Sequence, residues 1–236
     1  MSAMKSYTDD QVRVRHTRVA MSRTFRNLVV AYGLGRKRVL DIGCGYGEYL
    51  RAFGQGSVGL TTTREEVAYG SRVGLDIREG NAEELSTLSL GDAFEAVWAN
   101  NLFEHLLSPH AFLVMLKPHV APNAALVLGV PIVLPSLFMC ARRLRGALAS
   151  NHIGFYTPHT LRLTVERAGW KVETMRPFFF ENEALDRLCA PLAPHLYLVA
   201  RNETSFMYPL KKLKEWQDDP RYASLLKITG QGRDLA

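Results

Sequence analysis

The 236 residues, 47% hydrophobic and 22% charged, have the composition of an ordinary globular protein, which excludes disordered, collagenous and disulfide-scaffold classes. At roughly 150 residues per domain, the length makes one domain with appendages. The formal charge of +6 divides into +7 over residues 1–38, −6 over 39–131 and +5 over 132–236; no major-groove or RNA-binding pattern accompanies the basic flanks, so no nucleic-acid partner is expected.

In chain order, an arginine-rich amphipathic helix is expected over about 10–32, with Val14, Val19, Phe25 and Val29 among its apolar positions. RVLDIG reads as a buried strand running into a glycine turn that leads to a helix. GSVGLT is a second strand, REEVAYGSR a polar helix, GLDIREG a third strand and AFEAVWAN a fourth. SPHAFLVMLKPHV follows as a helix and AALVLGV as a fifth strand. TPHTLRLTVERAGW has helical spacing with Gly169 as its stop, and KVETMRPFFF and PHLYLVAR are two late strands. Alternation of this kind predicts an α/β fold: a doubly wound, seven-stranded, mostly parallel sheet with helices on both faces. Three parts are expected: a helical lid (1–35), the main domain (36–201) with an acceptor-side insertion (131–156), and a polar, helical tail (202–236).

Val120–Ala141 is twenty-two residues without a formal charge, but Pro122, Pro131 and Pro135 with Gly129 break any single membrane-spanning helix. From Pro135 onward a helix with apolar bulk and the cluster Arg142, Arg143 and Arg145 is expected. It is either a lid over the acceptor, with peripheral membrane contact through 131–149, or simple packing. Cys44, Cys140 and Cys189 form no CxxC pair and have no histidine at metal-ligand spacing, so neither a metal nor a disulfide framework is indicated. Reduced thiols and the lack of an apolar leader in MSAMKSYTDDQVRVRH lead us to expect a cytoplasmic protein.

The most informative segment is Val39–Glu48, VLDIGCGYGE, with glycines at three alternate positions after a strand. Such glycines accept unusual backbone angles and let a ligand touch the main chain. The spacing is not the G-x-G-x-x-G of dinucleotide folds, and Glu48 stands where a phosphate would be repelled, which favours a ligand with a cationic or amino-bearing part.

DIGCGYG resembles motif I of the class I S-adenosylmethionine-dependent methyltransferases, of the small-molecule and glycan (methyltransferase 11/23-like) type. GNAEEL, residues 80–85, resembles that family's G-D-A-E-E-L loop, and FEAVWANNLFEHL, residues 94–106, its F-D-x-V-x-x-x-x-V-L-E-H-L stretch. HIGFYTP, residues 152–158, is similar to the H-I-x-F-F-T-P sequence that leads into a late helix. The resemblance spans about residues 36–201 and implies S-adenosyl-L-methionine as cofactor.

It further implies that Asp41, Gly43, Cys44 and Gly45 line the methionine part of that cofactor, Asp41 holding the ammonium. Thr61, with Thr62 beside it, stands where the family usually has a ribose-binding acid. Asn81 replaces an Asp near the adenine, with Ala82 and Glu83 following, and Asn100 and Asn101 would face the methionine end. His105 is the first candidate base for a hydroxyl acceptor, with a packed histidine as the plain alternative. His152 and Tyr156 lie on the loop that commonly walls the acceptor pocket, while Glu104 is read as a structural acceptor. His110, His119, His159 and His195 read as surface or packing residues. The expected activity is methylation of a small, hydroxylated acceptor, O-methylation of a sugar or lipid-linked metabolite; N- or C-methylation and a non-catalytic cofactor-binding subunit are the alternatives.

Overall fold

A computed structural model describes residues 7–134, 151–219 and 222–231. The helix expected from Pro135, with its arginine cluster, lies outside the described residues.

The amino-terminal helical segment is two helices, α1 (Asp9–Met21) and α2 (Arg23–Tyr32), not one. Ser22 divides them because its hydroxyl accepts from the Phe25 amide at 3.3 Å, the capping geometry serine prefers over a helix interior. Thr8 and Gln11 close a reciprocal capping box at the start of α1. The end of α2 is Gly33 in the left-handed conformation.

Among the described residues seven strands follow: β1 (Val39–Ile42), β2 (Val58–Thr61), β3 (Ile77–Glu79), β4 (Phe94–Asn100), β5 (Val120–Pro131), β6 (Trp170–Arg176) and β7 (His195–Asn202). They form one sheet in the order β3-β2-β1-β4-β5-β7-β6. Strands β1 to β5 pair in parallel, with Leu40 opposite Val58 and Val97; β7 is antiparallel to both β5 and β6. Because the order reverses at β1, the carboxyl ends of β1 and β4 open on a crevice, the usual ligand position of such sheets.

The remaining α-helices among the described residues are α3 (Arg64–Val73), α4 (Pro109–Leu116), α5 (Pro158–Glu166), α6 (Glu183–Cys189), α7 (Leu210–Gln217) and α8 (Ala223–Thr229). One sheet face packs on α4 and α5 through Leu113, Leu116, Leu161 and Val165, all fully buried; the other packs on α2 through Phe25 and Leu28. Two boundaries differ from the sequence reading. No α-helix follows the glycine turn: Gly43, Gly45 and Gly47 have φ of +74°, +57° and +75°, so helical angles cannot start before Glu48, and only a 3₁₀ turn at Leu50–Ala52 fits. The segment read as a polar tail buries Tyr208, Leu213, Trp216 and Leu225 in the core, since its apolar residues recur at helical spacing among the lysines.

Candidate active site

The glycine loop is built for close approach to its main chain. At Gly45 a Cβ would stand 3.0 Å from Glu48 Oε2 in a backbone conformation that side chains disfavour. Beneath the loop Asp41 is 1% exposed, and its Oδ2 has no hydrogen-bond partner among the described residues. Burial, with Glu48 nearby, pushes its carboxyl well above the usual range.

Glu48 itself is buried but not free to attract a ligand cation: Arg15 of α1 donates to its carboxylate. The sequence inference from Glu48 therefore passes to Asp41. The same helix places His16 Nε2 3.2 Å from the Tyr46 carbonyl, so α1 lies across the loop. A cleft of about 400 Å³ opens here between Gly43, Gly45, Tyr49, Asn100, Arg15 and Arg18.

The far wall is the end of β4. Asn100 Nδ2 donates to the Tyr49 hydroxyl at 3.0 Å, while its Oδ1 is buried without a partner among the described residues. Gly129 of β5 makes room for it, since a Cβ there would sit 2.1 Å from Asn100 Oδ1. Asn101 holds φ at +53°, kept by its amide bond to Gly129 O at 2.8 Å and by its side-chain oxygen, which accepts from His195 Nε2 at 2.9 Å. Burial pushes the His195 imidazole down to about 4, so it is neutral near pH 7. His195, read as a packing residue, thus stands beside Asn101; the only signal for it in the sequence is its place at the start of a late strand.

At the end of β2, Thr61 donates its hydroxyl to the Glu66 carboxylate. Glu66 was not singled out from sequence, because it sits on the next helix. Burial raises its pKa, and the pair offers a hydroxyl and a carboxylate where the resemblance expects an acid alone. Thr62 is exposed. Asn81 caps a short 3₁₀ helix, its Oδ1 accepting from the Glu83 amide at 3.0 Å, so the oxygen expected to meet the adenine amine already has one partner. Glu83 accepts from the Ser108 amide at 2.8 Å and ties this turn to the start of α4; Ala82 is buried. Cys44 is among the residues lining the cleft; its side chain packs against Gly59 of β2, and burial pushes its thiol up, away from the reactive thiolate.

An S-adenosylmethionine molecule fits this donor set. The amino-acid end carries both charges, and the unpartnered oxygens of Asp41 and Asn100 suit its ammonium while Arg15 and Arg18 suit its carboxylate. The Thr61–Glu66 pair suits a ribose diol.

Leu102 packs over Gly43, and a second polar group begins two residues further along the chain. There Glu104, 1% exposed, meets His105 and His152: the three ligand-type atoms lie within 4.8 Å of one another. The His105 and His152 rings are edge-to-face at 4.9 Å, and His152 Nε2 is 4.0 Å from Glu104 Oε1. The Glu104 carbonyl accepts from the amides of Ile153 at 3.0 Å and Gly154 at 2.8 Å, fastening residues 152–156 to the end of β4. Tyr156 is buried against Phe103, with its phenol pushed up to about 12 by burial and by Glu104. It therefore stays protonated near neutral pH and serves as donor or wall rather than as a base. His105, His152 and Tyr156 are thus gathered in one place, and Glu104, read as a structural acceptor, ties the loop through its carbonyl and places its carboxylate among them.

Comparison with known proteins adds the family. Residues 14–175 match the model of a methyltransferase domain, and the chain belongs to that family, as an S-adenosylmethionine-dependent methyltransferase. No curated protein matches the chain. Among solved structures, a SAM-dependent methyltransferase from Archaeoglobus fulgidus superposes with a TM-score of 0.55 at 19% identity, over 80% of this chain and 99% of that one. A putative methyltransferase of Haloferax volcanii, in complex with the Trm112 methyltransferase activator, gives 0.58 at 16% identity over 86% and 100%. Magnesium protoporphyrin IX methyltransferase from Synechocystis, with bound SAH, gives 0.53 at 15% identity over 85% and 90%. At these identities the likeness is one of fold. Among the described residues no helix is long and apolar enough to cross a membrane.

Proposed function

We propose that this methyltransferase places its methyl group on the oxygen of a small hydroxylated acceptor, such as a sugar or a lipid-linked metabolite. The observation that supports this reading is the group of Glu104, His105 and His152, next to the buried phenol of Tyr156 and just past Leu102, which packs over Gly43 of the cleft. A hydroxyl of high pKa needs its proton taken before it becomes a good nucleophile, whereas an amine arriving unprotonated needs little such help. The cofactor supplies a methyl already activated on a sulfonium, so the chain has to position the acceptor, exclude water and handle one proton.

Each task has residues suited to it. Asp41, Asn100 and Arg15 hold the amino-acid end; Thr61 and Glu66 hold the ribose. His105 is oriented by its Nδ1, 3.1 Å from the Asn151 carbonyl, and this leaves Nε2 for the acceptor side. Phe103, Ile132 and Tyr156 form an apolar wall that limits water. The test is incubation with S-adenosylmethionine and a matched panel of hydroxylated, amine and carbon acceptors, the methylated atom being mapped by NMR. An O-methyl product is expected. Turnover restricted to amines or carbon acids removes the reading.

A further inference from the structure

Resting on that O-methylation reading, we infer that Glu104, His105 and His152 bind a divalent first-row cation, which takes the acceptor hydroxyl as a further ligand. The proposal begins with the Glu104 carboxylate. Both of its oxygens are buried and neither has a hydrogen-bond partner among the described residues. A carboxylate withdrawn from water without a partner is costly, and evolution ordinarily supplies a counter-charge or removes the acid. His152 Nε2, 4.0 Å from Glu104 Oε1, is beyond hydrogen-bond reach of it.

The imidazoles supply the second observation. His105 Nδ1 lies 3.1 Å from the Asn151 carbonyl oxygen, which can only accept, so Nδ1 carries the proton and Nε2 the lone pair. A backbone carbonyl holding one ring nitrogen so that the other is free is the usual support of a metal-binding histidine. The two amide bonds from Ile153 and Gly154 to the Glu104 carbonyl lock the His152 segment to the short helix that carries His105. Both halves of the site are therefore fixed by main chain rather than by mobile side chains.

The geometry needs only a small contraction. An ion bound at about 2.1 Å holds neighbouring ligands about 3 to 3.5 Å apart, against the present limit of 4.8 Å, so a side-chain rotation of about an ångström closes the site. Two imidazoles and one carboxylate suit Mn²⁺, Fe²⁺, Co²⁺ or Zn²⁺ better than Mg²⁺, which prefers oxygen throughout, and three protein ligands leave positions open. A hydroxyl bound there gives its proton to solvent water at a much lower pH than when free. Its oxygen pair then forms the O–C bond as the S–C bond breaks, the bonding pair stays on sulfur, and the ion leaves the step unchanged.

The experiment uses the full chain, stripped with a chelator and titrated with Mn²⁺ in the absence of cofactor and acceptor, free Mn²⁺ being followed by electron paramagnetic resonance. A single site is expected, weakened at least about tenfold by Glu104→Gln and by His152→Ala. Cofactor affinity and melting temperature in each variant report folding, and His105→Ala, whose ring is partly exposed, serves where another variant does not fold. Absence of stoichiometric Mn²⁺ uptake by the wild type, or equal uptake by the variants, overturns the site and leaves a metal-free His–Glu base in its place. Because no acceptor is present, that outcome does not touch O-methylation. Conversely, Mn²⁺ uptake with only amine products keeps the site and removes the reading it serves.

Discussion

The two ends of the sheet treat their buried polar groups differently. At the amino end, Lys117 Nζ donates to the carbonyls of Gly169 at 2.9 Å and Glu203 at 3.4 Å, Trp170 Nε1 donates to Leu113 O at 3.0 Å, and His119 Nε2 meets Leu85 O at 2.8 Å. Asn202 Oδ1 is the exception there. At the carboxyl end, Asp41 Oδ2, Asn100 Oδ1 and both oxygens of Glu104 are buried without partners among the described residues. Folding alone does not favour such vacancies, since each unpaired buried acceptor costs about 1–3 kcal/mol. The contrast marks one end as built for stability and the other as held open for ligands, at the edge where parallel α/β sheets bind them.

The sharpest way to break that contrast is Gly45→Val. Its Cβ would stand 3.0 Å from Glu48 Oε2 at a φ of +57°, so cofactor affinity should fall at least about 100-fold in calorimetry while the far-ultraviolet circular dichroism is kept. Wild-type affinity in this variant would remove the loop from the cofactor site. Next in size is His105→Ala, expected to lower kcat about 10- to 100-fold while the cofactor Kd stays within about twofold. A parallel loss of both would make the ring a packing element.

Acid probes the same end through His195. Its folded-state value of about 4 lies below the ordinary 6.5, so the unfolded chain binds the extra proton between those values. Stability is full above pH 6.5 and declines as pH falls toward 4. By pH 5 the loss from this group is about 1–2 kcal/mol, and a His195→Gln variant should show a flatter profile in urea titrations from pH 7 to 5. Glu66→Ala should weaken cofactor binding about fivefold without changing the melting temperature, because only the ribose side loses a partner. An unchanged Kd would leave Thr61 as the sole contact there.

The smallest effect belongs to the amino end. Burial holds Lys117 down at about 8, so above pH 8 the unfolded chain keeps a proton that the folded chain releases, and stability gains with rising pH. Solvent access reduces this to under about 1 kcal/mol. Melts of wild type and Lys117→Met should diverge in favour of the wild type from pH 8 to 10, with identical cofactor binding. A change in cofactor affinity would show that the two ends are coupled.

Much of this was legible from residue order. The alternating strands and helices follow from local periodicity, which is why β1, β2, β4 and β7 fall where the pattern places them and why α/β topology could be expected from the element order. The glycine loop was legible because positive φ is a property of single residues: Gly43, Gly45 and Gly47 need no partner to announce a turn. Local pattern was also misleading in places. The apolar periodicity runs through Ser22, but the serine's own cap divides α1 from α2, and the charges of residues 202–219 hide Leu213 and Trp216 in the core.

Tertiary structure alone decided what the polar groups do. Glu48 is a ligand-facing acid in the sequence and a partner of Arg15, thirty-three positions away, in the fold. Glu66 meets Thr61 only because α3 turns back on β2, and His195 meets Asn101 across ninety-four positions. His105 and His152 show no metal-ligand spacing because that rule counts residues along the chain, and these rings are brought to 4.9 Å by main-chain bonds between the Glu104 carbonyl and residues 153 and 154. Periodicity is written in neighbours a few residues apart, whereas the pairing of buried charges depends on which distant segments the packed core presses together, and that is settled only when the core forms.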